Sequence, residues 1–328
     1  MTGQGPGGAE RAQRLGLDLS EVYASLYRVR RVEEEVARVY WTDVIKSPVH
    51  LSIGQEAVSV GVCLALRPDD IVFGTYRGHA MFLAKGGDLR GMVAELYGKA
   101  TGVTGGKGGS MHLIDVGHHV MGTSAVVGTT IPHAAGYAYA LRQHGSDSVV
   151  VCFLGDGATE EGVFYETLNF AALQQLPVLF LCENNMYAIH SPVQTRQANP
   201  DISDRISRFG VPVQKVVDGD VLSIAEAAME AVARIRRGEG PQFLECFTYR
   251  WKEHVGPGED FDAGVRSLDE AREWMERDPV RVIGELLSPE ARTLVEQDVE
   301  KQIADAFEFA ERSPFPDVAQ LWTDVYAT

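Results

Sequence analysis

Few residues here commit the chain to the common function classes that thiols, membranes or nucleic acids define. Only four cysteines occur, Cys63, Cys152, Cys182 and Cys246, and none stands in a Cys-x-x-Cys pair. That spacing excludes zinc ribbons and dithiol redox motifs. Three of the four lie in apolar runs, as reduced core thiols do, and the expected location is cytoplasmic. No apolar run approaches the ~18 residues of a membrane-spanning helix. Positive charge is scarce, with 30 Lys and Arg against 46 Asp and Glu and a formal net charge of −16. Such a balance is a poor match to nucleic acid or an anionic membrane, and neither is expected as a partner. The opening MTGQGPGGAERAQ lacks the apolar segment of a secretory signal, and residues 1–17 are expected to be a flexible tail. No internal repeat is found.

What the chain does hold is ordinary for a globular protein: 328 residues, 45% hydrophobic and 23% charged. Its 34 glycines exceed the usual share of about 7%, which points to tight turns and close backbone approach. Leu26, Val29, Val32, Val36 and Tyr40 recur at spacings of three and four, which predicts a helix over 18–46. Residues 56–66 and 87–100 are expected to be helical. Residues 101–130 are Gly-rich and irregular, and PHAAGYAYALRQ after them suits a small-residue helix.

The centre is the most regular part. SVVVCFL at 148–154 is a continuous apolar run, suited to a parallel strand buried on both faces. GDGATEEG turns into a helix over 160–174, and PVLFLCEN follows as a second strand. This is a βαβ unit. Strand-like runs at 211–219 and 242–250 flank a helix closed by Gly238. The alternation predicts an α/β fold, a mostly parallel sheet flanked by helices. Residues 18–265 are assigned to this domain and 266–328 to a charged C-terminal helical extension.

The βαβ unit also carries chemistry. Asp156 follows one strand and Asn185 follows the next. A right-handed crossover makes those carboxyl ends neighbours, where ligands of open α/β sheets bind. Both side chains offer the oxygen ligands a hard cation such as Mg²⁺ takes, and Mg²⁺ completes its shell with water and phosphate. Gly155 and Gly157 allow close approach of a phosphate, and the next helix points free N–H groups at it. GDG alone is only a strand-to-helix turn. It is no dinucleotide fingerprint, because Glu160 stands where a third Gly is needed. GGKGGS is no Walker loop, because Thr101 and Gly108 break both ends. The pair GDG and ENN, each after a strand, is the specific signal.

GDGATEEGVFYETLNFAALQQLPVLFLCENNMYAI resembles the thiamine-diphosphate motif, which begins GDG and ends NN. The whole chain from about residue 25 to 285 resembles the alpha subunit of the two-chain decarboxylating component of 2-oxo acid dehydrogenase complexes. HLSIGQEA, TYRGHA, GGKGGSMH, SAVVGTTIPHAAG, TYRWKEH and EWMERDPV stand in the family's order. The resemblance implies thiamine diphosphate and Mg²⁺ as cofactors. Asp156 and Asn185 match the metal's side-chain ligands, and Tyr187 its backbone-carbonyl ligand. Gly155, Gly157 and Ala158 match the loop against the diphosphate. Tyr76 and Arg77 match the pair on the terminal phosphate, for which an Arg fork is suited. Val127 matches a residue beside the aminopyrimidine. His254 matches an active-site histidine that also nears the phosphates, and His50 and His79 match histidines lining the approach.

The resemblance further implies a beta subunit supplying the activating Glu, an α2β2 heterotetramer, a small 2-oxo acid such as pyruvate as substrate, and a lipoyl acyltransferase core as acyl acceptor. The alternative function is a two-subunit carboligase or lyase of acyloin type without a lipoyl partner. Lys107 is as well placed on a solvated surface as near a phosphate, and Glu56 reads as structural. The chain departs from the family's pattern after His254, where Val255-Gly256-Pro257 replaces a regulatory Ser, at Ala125 in place of Gly, and at Lys46-Ser47-Pro48.

Overall fold

The computed structural model describes residues 7–323 and 325. Among the described residues eight strands follow in chain order: β1 (Ile71–Thr75), β2 (Val120–Ser124), β3 (Val150–Gly155), β4 (Val178–Asn184), β5 (Tyr187–Ala188), β6 (Ser191–Pro192), β7 (Val213–Val216) and β8 (Gln242–Phe247). Six form one sheet in the order β2-β1-β3-β4-β8-β7, with every pairing parallel. The expected α/β architecture is therefore present. β5 and β6 form a separate antiparallel ribbon.

Alternation along the strands explains the continuous apolar runs. Val151 and Phe153 of β3 join one buried cluster, with the helix Leu19–Tyr40 and the helices around it. Val150, Cys152 and Leu154 face the other, under the helices Thr130–Gln143 and Gly162–Leu173. A strand covered on both faces has no polar side to show. In Leu19–Tyr40 the expected stripe is in place: Leu26, Val29, Val32 and Val36 are fully buried. Asp18 caps that helix, accepting from the Ser20 N–H at 2.8 Å.

The strand order reverses between β1 and β3, since the chain leaves β1 for one side and β3 for the other. At such a switch point the connecting loops diverge and open a crevice at the carboxyl ends of the strands. β1 delivers Tyr76 and Arg77 there, and β3 delivers Asp156. In β3 and β4, Gly155 pairs with Glu183, so the two strands end almost level. That register sets Asp156 and Asn185 side by side.

The flexible tail expected over residues 1–17 is corrected by the structure. Gly7–Leu15 is a helix with Ala12 buried. Arg11 and Arg14 hold Glu226 at 2.6 and 2.9 Å, and Arg11 also donates to Ser223 at 2.8 Å. This helix is tied down by ion pairs rather than by an apolar stripe, which is why hydrophobic spacing does not reveal it. Residues 1–6 lie outside the described residues. The helix expected over 18–46 closes earlier, at Tyr40. From residue 266 onward come the helices Leu268–Met275, Pro279–Gly284 and Pro289–Arg312 and a short 3-10 turn, Val318–Trp322. Among the described residues no helix is long and apolar enough to cross a membrane.

Candidate active site

The crevice is a cavity of about 240 Å³ lined from several separate stretches of chain. It gathers most of the residues singled out in the sequence: Tyr76, Arg77, Val127, Gly155, Asp156, Gly157, Ala158, Asn185, Tyr187 and His254. Asp156 opens a short 3-10 turn directly after β3 and is only 2% exposed. Burial pushes its carboxyl above the usual carboxylate range, and the Arg196 guanidinium, 2.5 Å away, pulls it back part of the way. Asn185 donates from Nδ2 to Gln55 Oε1 at 2.9 Å and accepts the Tyr187 N–H on Oδ1 at 3.2 Å. The Tyr187 phenol donates to Glu270 at 3.0 Å, which leaves its backbone as the part to consider toward the cavity.

The fit of a cation with a diphosphate is tested by the donors and the space. Asp156 Oδ, Asn185 Oδ1 and the Tyr187 carbonyl are hard oxygens of the kind Mg²⁺ takes, with one carboxylate leaving room for phosphate charge. Among the described residues no cluster of three His, Cys, Asp or Glu offers a rival site. A Cβ on Gly155 would meet nothing within 4 Å, so that backbone faces open space. A Cβ on Gly157 would lie 2.9 Å from Ala188 Cβ, so the loop is glycine for close packing against the β5–β6 ribbon. The residues fit the group.

Arg77 is 7% exposed and spends its guanidinium on two backbone carbonyls, Leu51 at 2.7 Å and His254 at 3.2 Å. It therefore links the His50 segment to the His254 loop. Three rings meet beside it: His50 and Tyr76 at 4.4 Å between centroids, His50 and His254 at 5.1 Å, Tyr76 and His254 at 5.6 Å. Nδ1 of His50 is buried with no hydrogen-bond partner. Burial, then the positive charge of Arg77, pushes both imidazoles down to about 3, so both are neutral at physiological pH. The loop after His254 is braced by its own contacts. Asp260 accepts from Arg250 at 3.2 Å and from Arg266 Nε at 3.0 Å, and the Gly256 N–H donates to Val49 at 2.8 Å. Gly256 has φ of 103°, a conformation that excludes a side chain at low cost.

A pH experiment follows. The folded state holds these imidazoles neutral while the unfolded chain protonates them near pH 6.5. Protons then favour the unfolded state, so the contribution is complete above about pH 6.5 and is lost as pH falls toward about 3. The imidazole NMR signals of His50 and His254 are expected not to titrate between pH 8 and 5. A midpoint near 6.5 for either ring would show that it is hydrated and charged instead.

His79 is placed differently. It is fully buried and its two ring nitrogens are bonded to Glu33 at 3.2 Å and Ser110 at 2.8 Å. It does not line the cavity. The helix His79–Ala84 starts at this residue and turns the ring into the helical layer. His50 touches the cavity residues Tyr76 and His254 but does not line the cavity itself. Lys107 lies by a second cavity, and its ammonium donates to Thr323. Glu56 is structural, accepting from Arg30 and from the Gly54 N–H at 3.0 Å.

Residues that spacing did not reveal are Gln55, Glu183, Glu161 and Ile189, which line the cavity, and Arg196. A buried Asp needs a counter-charge, and that requirement is the signal that was available for Arg196.

The family model described as dehydrogenase E1 component matches residues 24–319. The chain is 38% identical over 326 residues to the alpha subunit of acetoin:2,6-dichlorophenolindophenol oxidoreductase of Bacillus subtilis (strain 168), covering 96% of this chain and 97% of that protein. It is 38% identical over 312 residues to the pyruvate dehydrogenase E1 component subunit alpha of Rhizobium meliloti (strain 1021), with 93% and 89% covered. The corresponding subunit of Zymomonas mobilis subsp. mobilis is 38% identical over 317 residues, with 94% and 88% covered. With the crevice, its GDG and NN ends and these matches in one chain, the protein belongs to the dehydrogenase E1 component family, as a relative of its alpha subunits.

Proposed function

We propose that this chain is the alpha half of a thiamine-diphosphate- and Mg²⁺-dependent 2-oxo acid dehydrogenase that decarboxylates a small 2-oxo acid such as pyruvate and hands the acyl group to a lipoyl acyltransferase. The observation that carries this reading is the placement of Asp156 and Asn185 on adjacent strand ends in a cavity shared with Arg77. Thiamine diphosphate supplies, when bound, the nucleophilic carbon that attacks the 2-oxo group. Asp156, Asn185 and the Tyr187 carbonyl hold the cation. Arg77 and Tyr76 face the phosphate charge. Val127 packs beside the pyrimidine. His254, as a neutral imidazole, offers one donor and one acceptor to the substrate carboxylate and to proton movement, and His50 packs against it from behind.

The alpha subunit works with a beta subunit, and we assign to that partner the Glu that activates the cofactor, within an α2β2 heterotetramer. Support comes from the rim of the cavity. Val126, Val127 and Ile189, which line it, are 63%, 44% and 54% exposed, an apolar border that a partner would cover. A second reading takes its cue from the Bacillus relative, whose name specifies acetoin, an acyloin. In that reading the same cavity serves acyloin carbon–carbon chemistry.

The test is turnover by the chain alone and co-expressed with its beta subunit, with pyruvate, 2-oxobutanoate, branched 2-oxo acids and acetoin and an artificial electron acceptor. Turnover is expected only for the pair, and with a 2-oxo acid above acetoin. Full turnover by the alpha chain alone would overturn the half-site. Preference for acetoin would select the second reading.

A further inference from the structure

Resting on the cation site proposed above, we infer that Arg196 is an internal counter-ion that competes with the divalent cation for Asp156 and so sets the cation's affinity. Asp156 is the sole carboxylate in the proposed donor set, and it is 2% exposed. Burying a carboxylate so far from water is costly unless a positive charge is placed beside it. The charge in place is Arg196, whose Nη2 lies 2.5 Å from Asp156 Oδ2 and whose side chain is 10% exposed. The same guanidinium bonds Glu160 through Nη1, and its Nε donates to the Ser191 carbonyl at 2.9 Å. Its place is also fixed against the glycine loop, since a Cβ on Gly157 would lie 3.8 Å from Nη1. The arginine thus stands over the carboxylate and the turn that a cation and a phosphate would use.

Two cations cannot share that carboxylate on equal terms. Mg²⁺ sits about 2.1 Å from its oxygen ligands, and a guanidinium in hydrogen-bond contact with the same small group adds like-charge repulsion. An ion seated on Asp156 would lie close to the guanidinium on Oδ2, and their repulsion would weaken the Arg196–Asp156 pair. Glu160, 28% exposed, is where the released guanidinium remains anchored. Arg196 is carried on a short segment. It hangs from the β5–β6 ribbon, two residues per strand, and ends in the single helical turn Val193–Arg196. Met186 and Ile189 at the ribbon hold φ of 70° and 57° without being glycine. Such positions carry an energetic cost for a non-glycine residue. Arg196 is therefore a positioning residue that acts through Asp156. It holds the carboxylate in place, and it makes cation binding an exchange rather than an addition.

The test uses the full chain co-expressed with its beta subunit, with Mg²⁺ titrated by calorimetry at saturating thiamine diphosphate and thermal midpoints read without either. Arg196→Met is expected to bind Mg²⁺ about tenfold more tightly than the parent and to unfold at a lower temperature when no cofactor is added, because Asp156 then lacks its partner. Arg196→Lys is expected to stay near the parent in both. Equal or weaker Mg²⁺ binding by Arg196→Met overturns the competition. Weaker binding would make Arg196 a ligand-binding arginine instead. If Arg196→Met does not fold, Glu160→Gln, which loosens the second anchor, is expected to shift Mg²⁺ affinity measurably in either direction from the parent, and no change overturns the proposal. Absence of any Mg²⁺ binding by the parent would remove the cation site itself, a different failure from parity between parent and variant.

Discussion

Asp156→Ala is expected to lower kcat/KM of the assembled enzyme about 1000-fold or more, a loss of about 4 kcal/mol in transition-state stabilisation. The argument is one of charge. Of the proposed ligands only Asp156 is a carboxylate, and the other oxygens are neutral. Without Asp156 the cation would rest on an amide oxygen, a carbonyl and phosphate alone, while Arg196 would remain beside it with Glu160 as its partner. The loss is expected first as failure to bind Mg²⁺ by calorimetry and then as lost turnover. Asp156→Asn keeps an oxygen in place without the charge and is expected to rank between Ala and the parent. The fold is expected to survive, because Arg196 retains Glu160 and the main-chain turn of residues 156–160 is untouched. Near-parental Mg²⁺ binding by Asp156→Ala would place the cation elsewhere.

How much of this was legible beforehand depends on what carries the information. β3, β4 and the helix between them were visible because a strand buried on both faces leaves an unbroken apolar run. β1 and β2 were not. Ile71–Thr75 is five residues with Gly74 inside it, and Val120–Ser124 sits in a glycine-rich stretch with Gly122 inside it. Their strand character comes from pairing with neighbours, which composition does not record. The missing pair matters, because β1 forms one wall of the switch point.

The site shows the same division. Asp156 and Asn185 were legible as a pair because 29 residues of βαβ unit fix their separation in space as well as in sequence. Arg77 and His254 are 177 residues apart, and only the folded chain shows that the guanidinium holds the loop carbonyl. His79 shows the limit of motif reasoning. It lies two residues from Arg77, yet the first turn of a helix separates their directions, and Glu33 and Ser110 saturate its ring. Ion-pair elements were the least visible. Neither the Arg11–Glu226 anchor nor the Arg196–Asp156 pair leaves a periodic trace.

Glu95→Ala is expected to cost on the order of 4 kcal/mol of stability, more than a typical core substitution. Glu95 is fully buried, and its carboxylate is the acceptor for four backbone N–H groups of the glycine-rich loop. Thr104 and Gly106 donate to Oε2 at 2.9 and 2.8 Å, and Gly108 and Gly109 donate to Oε1 at 2.7 and 3.0 Å. The glycine-rich loop, which is no Walker loop, wraps an internal carboxylate. Its glycines serve that wrap: Gly106 and Gly109 have φ of 79° and 60°, and a Cβ on Gly102 would press on Glu95 itself. Removing the carboxylate strands four donors, and water replaces only those that the opened loop exposes. Glu95→Gln is expected to fall between, because its amide oxygen keeps one pair of donors while its NH₂ faces the other pair. Urea unfolding of the purified chain reads both effects. The loss should also reach the active site, because the loop continues to Met111 and Leu113, which clasp Thr123 at the end of β2, and β2 leads into the Val126–Val127 rim. An increased KM for thiamine diphosphate with a smaller change in kcat is therefore expected for Glu95→Gln. Stability within about 1 kcal/mol of the parent for Glu95→Ala would mean that the loop closes without its anion.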